Sequence, residues 1–267
     1  MHEEDFSFEK QPSKEKIMKK KEFDYKKVAK EIGWSFSKAE RITEKKTDYD
    51  YYKAVMGEIS PETVMLDIGS GSAEKSLKFF SGAKKVYAID REIEMLKKAK
   101  SNAENLYGKG FEKWEFLLAD GNGRLGFDDE SFDLVVSRHC GAKMSEVFRV
   151  LKNGGVFVSE DVADDDCLEL KNLFGRGQRF GEKVPLEKEI FEECEKAGFS
   201  KVELLRFEEH EFYKSRADLE YLLSRTPILN VYDKDVDGKI LDEYIRENKT
   251  EKGILLKRRL FAFRLQK

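Results

Sequence analysis

Apolar and polar positions recur along this chain with two different periods, and the change between them divides it into three stretches. Before Thr63 the spacing is helical. Residues 14–32 predict a helix that stops at Gly33, Trp34–Ser37 a turn, and Asp48–Ile59 a second helix closed by Ser60-Pro61. From Thr63 short, wholly apolar runs take over. TVMLDIG, KVYAID, WEFLLAD, SFDLVVSRH and VFVSED read as five buried strands. Helical patterns separate most of them: SAEKSLKFFSG, then Arg91–Leu106 with Ile93, Leu96, Ala99 and Ala103 on one face, then Ala142–Leu151 followed by a turn at Asn153-Gly154-Gly155. Strands alternating with helices predict a parallel sheet with right-handed crossovers and helices on both faces. Further on, Leu186–Ala197 is a helix capped by Gly198. KVELLRFEEHEF and GILLKRRLFAFRL alternate as edge or antiparallel strands do, and Ser215–Asn248 reads as two helices around Thr226-Pro227. Leu170–Pro185 is left without an assigned element.

This pattern gives three regions: residues 1–62, an N-terminal helical segment or lid; residues 63–165, the core; and residues 166–267, which complete the sheet and add a helical insertion over one end of it. The 267 residues, 40% of them hydrophobic, suffice for one large α/β domain. Charged residues make up 39%, but 50 Lys+Arg nearly balance 53 Asp+Glu, so the net charge of -3 exerts no global pull on nucleic acid. Cys140, Cys167 and Cys194 are widely spaced and form no CxxC pair, which fits a reducing compartment. No run approaches the ~18 apolar residues of a spanning helix. A cytoplasmic protein without membrane contact is expected.

In open α/β sheets ligands bind beyond the carboxyl ends of the strands, and three successive ends carry suggestive residues. Asp67-Ile68-Gly69-Ser70-Gly71 is a glycine-rich turn that lets the backbone approach a ligand. Asp90 ends the second strand, where an acid can accept hydrogen bonds from ribose hydroxyls. Asp120, ending the third strand beside Gly121, can accept from an adenine amino group. Together they make a nucleoside site. A dinucleotide fingerprint would place a third glycine where Glu74 stands, and an acid at Asp67 repels pyrophosphate while suiting a cation. That favours a sulfonium donor over a nicotinamide dinucleotide.

These segments resemble class I methyltransferases that use S-adenosylmethionine (SAM). VMLDIGSGSAEKS is similar to their first motif, KVYAID to the second and LLADG to the third. SFDLVVSRH followed by EVFRVLKNGGVFVSED is similar to the broad type-11-like family that includes quinone and sterol methyltransferases. The resemblance covers about residues 64–161. It implies a Rossmann-like, doubly wound, mostly parallel seven-stranded sheet. It also implies that Asp67, Gly69, Ser70 and Gly71 line the methionine and ribose, Asp90 with Arg91 the ribose, and Asp120 with Gly121 the adenine. Ser137 and Arg138 would lie beside the methyl donor. Where the acceptor must lose a proton, His139, just past the fourth strand, is the candidate base; Cys140 beside it reads as structural. No metal is expected. The acceptor is read as a small molecule, with an RNA methyltransferase, an NAD-dependent oxidoreductase and a catalytically silent SAM-binding module as the other readings.

Two further patterns are decoys. Gly121–Gly126 spells GxGxxG, but no helix pattern follows it. Asp233–Gly238 matches half a calcium loop, yet Tyr244 stands where a bidentate Glu is required, so a capped helix start is expected. The aromatics Trp34, Phe36, Tyr49, Tyr51, Tyr52, Phe174, Phe180, Tyr213 and Tyr221 gather around the segments that would roof an acceptor, and Gly175–Gly181 reads as a basic loop or lid.

Overall fold

Met65 and Leu66 are neighbours on one strand, and they end in different cores. The computed structural model describes residues 23–32, 36 and 38–267. Its strands are β1 (Arg41–Lys45), β2 (Val64–Ile68), β3 (Lys85–Asp90), β4 (Trp114–Leu118), β5 (Phe132–Arg138), β6 (Leu151–Val162), β7 (Lys201–Tyr213), β8 (Lys249–Thr250) and β9 (Gly253–Gln266). They form one sheet in the order β1-β7-β9-β6-β5-β2-β3-β4, with β8 paired to β9. From β4 to β6 all neighbours run parallel; β9 is antiparallel to both β6 and β7.

Alternation along the parallel strands feeds two cores, as the strand period of two requires. Met65, Val86, Leu134, Val136, Val156 and Val158 point to one face, under α2 (Tyr51–Gly57), α3 (Glu74–Phe79) and α4 (Ile93–Tyr107). Leu66, Ile68, Ile89, Val135, Phe157, Phe261 and Phe263 point to the other, under α5 (Met144–Val150) and α7 (Leu186–Ala197). Each fully buried aliphatic side chain contributes about 1.5–3 kcal/mol. A third core joins α6 (Leu168–Phe174), α8 (Arg216–Leu223) and α9 (Lys234–Asn248) to Tyr213, Ile254 and Leu256, where β7 ends and β9 begins. These helices therefore sit at the end of the sheet where β6 also finishes. α1 (Tyr25–Ile32) is tied to α4 by Lys98 Nζ, which donates to the carbonyls of Ala29 at 2.9 Å and Lys30 at 3.3 Å.

The sheet has nine strands where seven were expected. β8 is a two-residue hairpin arm. β1 was missed because RITEK is largely exposed and has no apolar run; it exists by pairing Arg41–Lys45 with Glu209–Tyr213 far along the chain. α6 fills part of the stretch left unassigned. On α4 the expected face is off by one position at its start: Ile93 is 49% exposed, and Met95 is buried with Leu96, Ala99 and Ala103. The turn at Asn153–Gly155 lies inside β6 as an excursion, since Leu151 pairs with Phe132 but Val156 with Leu134, and Gly154 takes φ +79°. Gly198 caps α7 at φ +99° as expected. Asp233 is the N-cap of α9, accepting from Asp235 N–H at 3.1 Å, while Tyr244 is buried and donates to Leu255 O. Most of the helix expected over 14–32 and Trp34 lie outside the described residues. Among the described residues no helix is long and apolar enough to cross a membrane.

Candidate functional site

The sheet reverses its strand order between β2 and β5, because the chain adds β3 and β4 on one side of β2 before returning with β5 and β6 on the other. In open α/β sheets the crevice for a ligand lies at such a reversal, beyond the carboxyl ends of the strands. Asp67 stands at its floor, 5% exposed, accepting from Ser76 Oγ at 2.6 Å. Burial pushes its carboxyl up to about 6, and the Asp90 charge adds to this, while the Ser76 hydrogen bond opposes it. The turn that follows is pinned from beneath: Gly69 and Ser70 N–H both donate to Ile89 O, at 2.9 and 3.0 Å. Gly69 holds φ +73°, and a Cβ there would meet Cys140 Cβ and Sγ at 2.5 Å. Gly71, at φ +56°, faces open space. Between them the Ser70 hydroxyl is buried without a partner.

Asp90 is held at both oxygens, by Gly71 N–H at 2.9 Å and Glu92 N–H at 2.8 Å. One carboxylate thus fixes the tip of β3, the start of α4 and the glycine turn, and keeps its outer lone pairs for a ligand. Burial raises its pKa and those backbone hydrogen bonds lower it. Arg91, half exposed, lays its guanidinium 4.8 Å above the Tyr25 ring of α1. Asp120 is exposed and accepts from Asn122 N–H at 3.0 Å. Gly121 packs so closely on β2 and the turn after β5 that a Cβ would lie 2.4 Å from Ile68 Cγ2 and 2.7 Å from Gly141 O. The strand-tip residues expected to hold a nucleoside therefore surround one crevice. Glu74 opens α3, placing an acid at its first turn, and Ala73 before it takes the left-handed φ of +56°.

Across the crevice the tip of β5 is arranged differently from expectation. Ser137 is buried and spends its hydroxyl on Cys140 O at 2.6 Å, so it fixes the turn rather than offering a donor to a ligand. Arg138 turns away from the glycine loop: its Nε donates to Glu160 at 2.8 Å and its guanidinium lies 5.9 and 5.7 Å from the rings of Tyr51 and Tyr52. His139, in left-handed backbone at φ +53°, sits between Glu160 at 3.7 Å and Asp161 at 4.0 Å. About a third of its side-chain surface, 35%, stays exposed. Burial, then the positive charges of Arg138 and Arg258, hold its pKa well below the usual range, so the ring is neutral near pH 7. Burial pushes the Cys140 thiol up to about 12, which makes it a poor nucleophile.

A family model described as a methyltransferase domain matches residues 59–243. The chain belongs to this family. Membership makes it a class I, SAM-dependent methyltransferase. Similar solved structures agree in fold. A Bacillus halodurans C-125 protein provisionally assigned as a methyltransferase is 18% identical, covering 80% of this chain and 97% of that one at a TM-score of 0.58. The YcgJ protein of Bacillus subtilis is 21% identical over 80% and 94% at 0.57. A phosphoethanolamine N-methyltransferase 2 of Haemonchus contortus is 21% identical over 81% and 52% at 0.50. No curated protein matches the sequence.

Tyr49 and Tyr51, already counted among the aromatics of the roofing segments, enter and open α2. Tyr49 and Tyr51 each carry a buried hydroxyl with no partner. Near the end of β6 stand two residues that sequence reasoning did not single out for a site, Glu160 and Asp161. The only signal available was VFVSED itself: two consecutive acids at the end of an apolar strand are as unusual as the acids on β2, β3 and β4.

Proposed function

We propose that this methyltransferase binds SAM against the tips of β2, β3 and β4 and passes its methyl group to a small molecule held beyond β5 and β6. The carrying observation is Asp90, clamped by Gly71 and Glu92 N–H beside a glycine turn with open space at Gly71 and an unpartnered Ser70 hydroxyl. Those features fit an adenosine with a polar tail: Asp90 for the ribose hydroxyls, Ser70 and the turn for the tail, and Asp120 with Gly121 for the base. Asp67, buried and acidic, suits the donor's positive charges. It combines with Glu74 at the start of α3 to disfavour a pyrophosphate, which supports SAM over a dinucleotide. SAM supplies an activated methyl group, so the chain's own task is alignment and exclusion of water. Tyr25 of α1, over Arg91, and α2, against the β2 side of the sheet, roof the crevice.

The neutral ring of His139 lines the acceptor cleft, where it can accept a hydrogen bond from the acceptor. Calorimetry with S-adenosylhomocysteine (SAH) and with NAD tests the reading. SAH should bind and NAD should not; NAD binding in place of SAH sinks it. His139→Ala should bind SAH unchanged and turn over more slowly.

A further inference from the structure

The cleft beyond β5 and β6 carries a carboxylate that the fold does not neutralise. Glu160 is matched by Arg138 at 2.8 Å. Asp161, the next residue, has no Lys or Arg within salt-bridge distance among the described residues; the hydrogen bond it accepts there comes from Val162 N–H at 2.7 Å. Its nearest basic group is His139 Nδ1 at 4.0 Å, on a ring kept uncharged. Asp161 acts electrostatically on Tyr25 from α1 and on Cys140 from the turn that packs on Gly69, so its charge reaches both α1 and the glycine turn. A second, independent feature points the same way. Tyr51 is 4% exposed and its hydroxyl has no partner, although it lies in the fields of Asp67 on the cofactor side and Glu160 on the acceptor side. A buried hydroxyl left unpaired costs about 1–3 kcal/mol, which a polar ligand atom in that gap would remove. Carboxylates outnumbering cations, together with an imidazole without charge, attract a cation and repel a carboxylate or phosphate.

We propose that the acceptor atom is an amine nitrogen that arrives protonated, and that Asp161 binds it and takes its proton. This rests on the methyl-transfer reading above. The ammonium N–H proton passes to the Asp161 carboxylate. The freed nitrogen lone pair forms the new N–C bond as the methyl's bond to sulfur breaks, and that electron pair stays on sulfur. The product leaves as the methylated ammonium, and Asp161 passes the proton it took to water, which restores the carboxylate. Burial pushes Asp161 up to about 6, which makes it a better proton acceptor than an ordinary aspartate.

The test incubates the full chain with methyl-labelled SAM and the deproteinised small-molecule fraction of a cell extract. Labelled products are then sorted by cation exchange and by stability to mild base. The expected label is base-stable and retained on the cation exchanger. Asp161→Asn should lower labelling at least about tenfold and Asp161→Glu recover part of it, with SAH affinity within about twofold for each variant. Label in a base-labile ester or an anionic product overturns the proposal, as does unchanged labelling by Asp161→Asn or no labelling while SAH binds. If the wild-type chain fails to bind SAH, the methyl-transfer reading itself fails, which keeps the two failures apart. Should Asp161→Asn not fold, the chemical class of the wild-type product decides alone.

Discussion

The two sides of the crevice are built by opposite means. On the β2–β3–β4 side the backbone does the work: two left-handed glycines, turn N–H groups fixed on Ile89 O, and Asp90 clamped by two further N–H groups. On the β5–β6 side the backbone only presents side chains, and Arg138, Glu160, Asp161, His139 and Tyr51 set the chemistry among themselves. A backbone-built site is rigid and tolerates little change. A side-chain site can be retuned by single substitutions, which suits a fold that keeps one donor and exchanges acceptors.

Substitutions should expose that difference, and the largest effect belongs to the backbone side. Gly69→Ala meets both a left-handed φ and a Cβ position 2.5 Å from Cys140, and should lose about 2–4 kcal/mol of stability together with SAH binding. Denaturant melts and calorimetry measure both, and near-wild-type values would show that the turn can relax. Asp90→Ala should follow, weakening SAH by roughly 30–100-fold, since a charge-assisted pair is worth about 2–3 kcal/mol. A change below threefold would remove Asp90 from the ribose.

Protonation of Asp67 gives the next effect. Burial holds its pKa at about 6 rather than the ordinary aspartate value of 3.8, so the native state holds its proton more tightly than the unfolded chain. Asp67 therefore destabilises the ligand-free fold progressively as pH rises from about 4 to about 6, by on the order of 3 kcal/mol. A ligand ammonium, such as the α-amino group of SAH, reverses the preference, because it favours the carboxylate. SAH should bind more tightly at pH 7 than at pH 5 and release a proton on binding below pH 6. Calorimetry in buffers of different ionisation enthalpy reads this directly, and proton uptake would contradict it. The charged and polar groups facing Asp67 are Ser76 of α3, Asp90 of β3 and Tyr51 and Tyr52 of α2, and among the described residues none of these is a cation.

The smallest effect tests the side-chain half. Tyr51→Phe deletes an unpartnered buried hydroxyl and should raise the melting temperature of the ligand-free protein by about 2–4 °C. If that hydroxyl meets a ligand, turnover falls at the same time. A lower melting temperature would mean that the hydroxyl is already satisfied in the folded protein.

The same contrast explains how far the sequence could be read. The glycine turn, Asp67, Asp90 and Asp120 were legible because each is a local signal: a short apolar run, a breaker, and an acid where burial would otherwise forbid one. The parallel core and the long antiparallel pair β7 and β9 were legible from their periods. Ser137 and Arg138 were placed correctly on the β5 tip, yet their side-chain partners, Cys140 O and Glu160, could not be read from it. β1 was illegible because nothing in RITEK demands burial, and Ile93 was assigned to a face that the helix turns to solvent.

By itself the sequence determined the fold class and the strand tips with their glycine turn and acids, because glycine conformation and hydrophobic period act within a few residues of the positions that carry them. Only the tertiary structure decided what gathers beside the tips of β5 and β6. Tyr51, Arg138, Glu160 and Asp161 come from α2, β5 and β6, and their interactions acquire strength only once burial lowers the local dielectric around them.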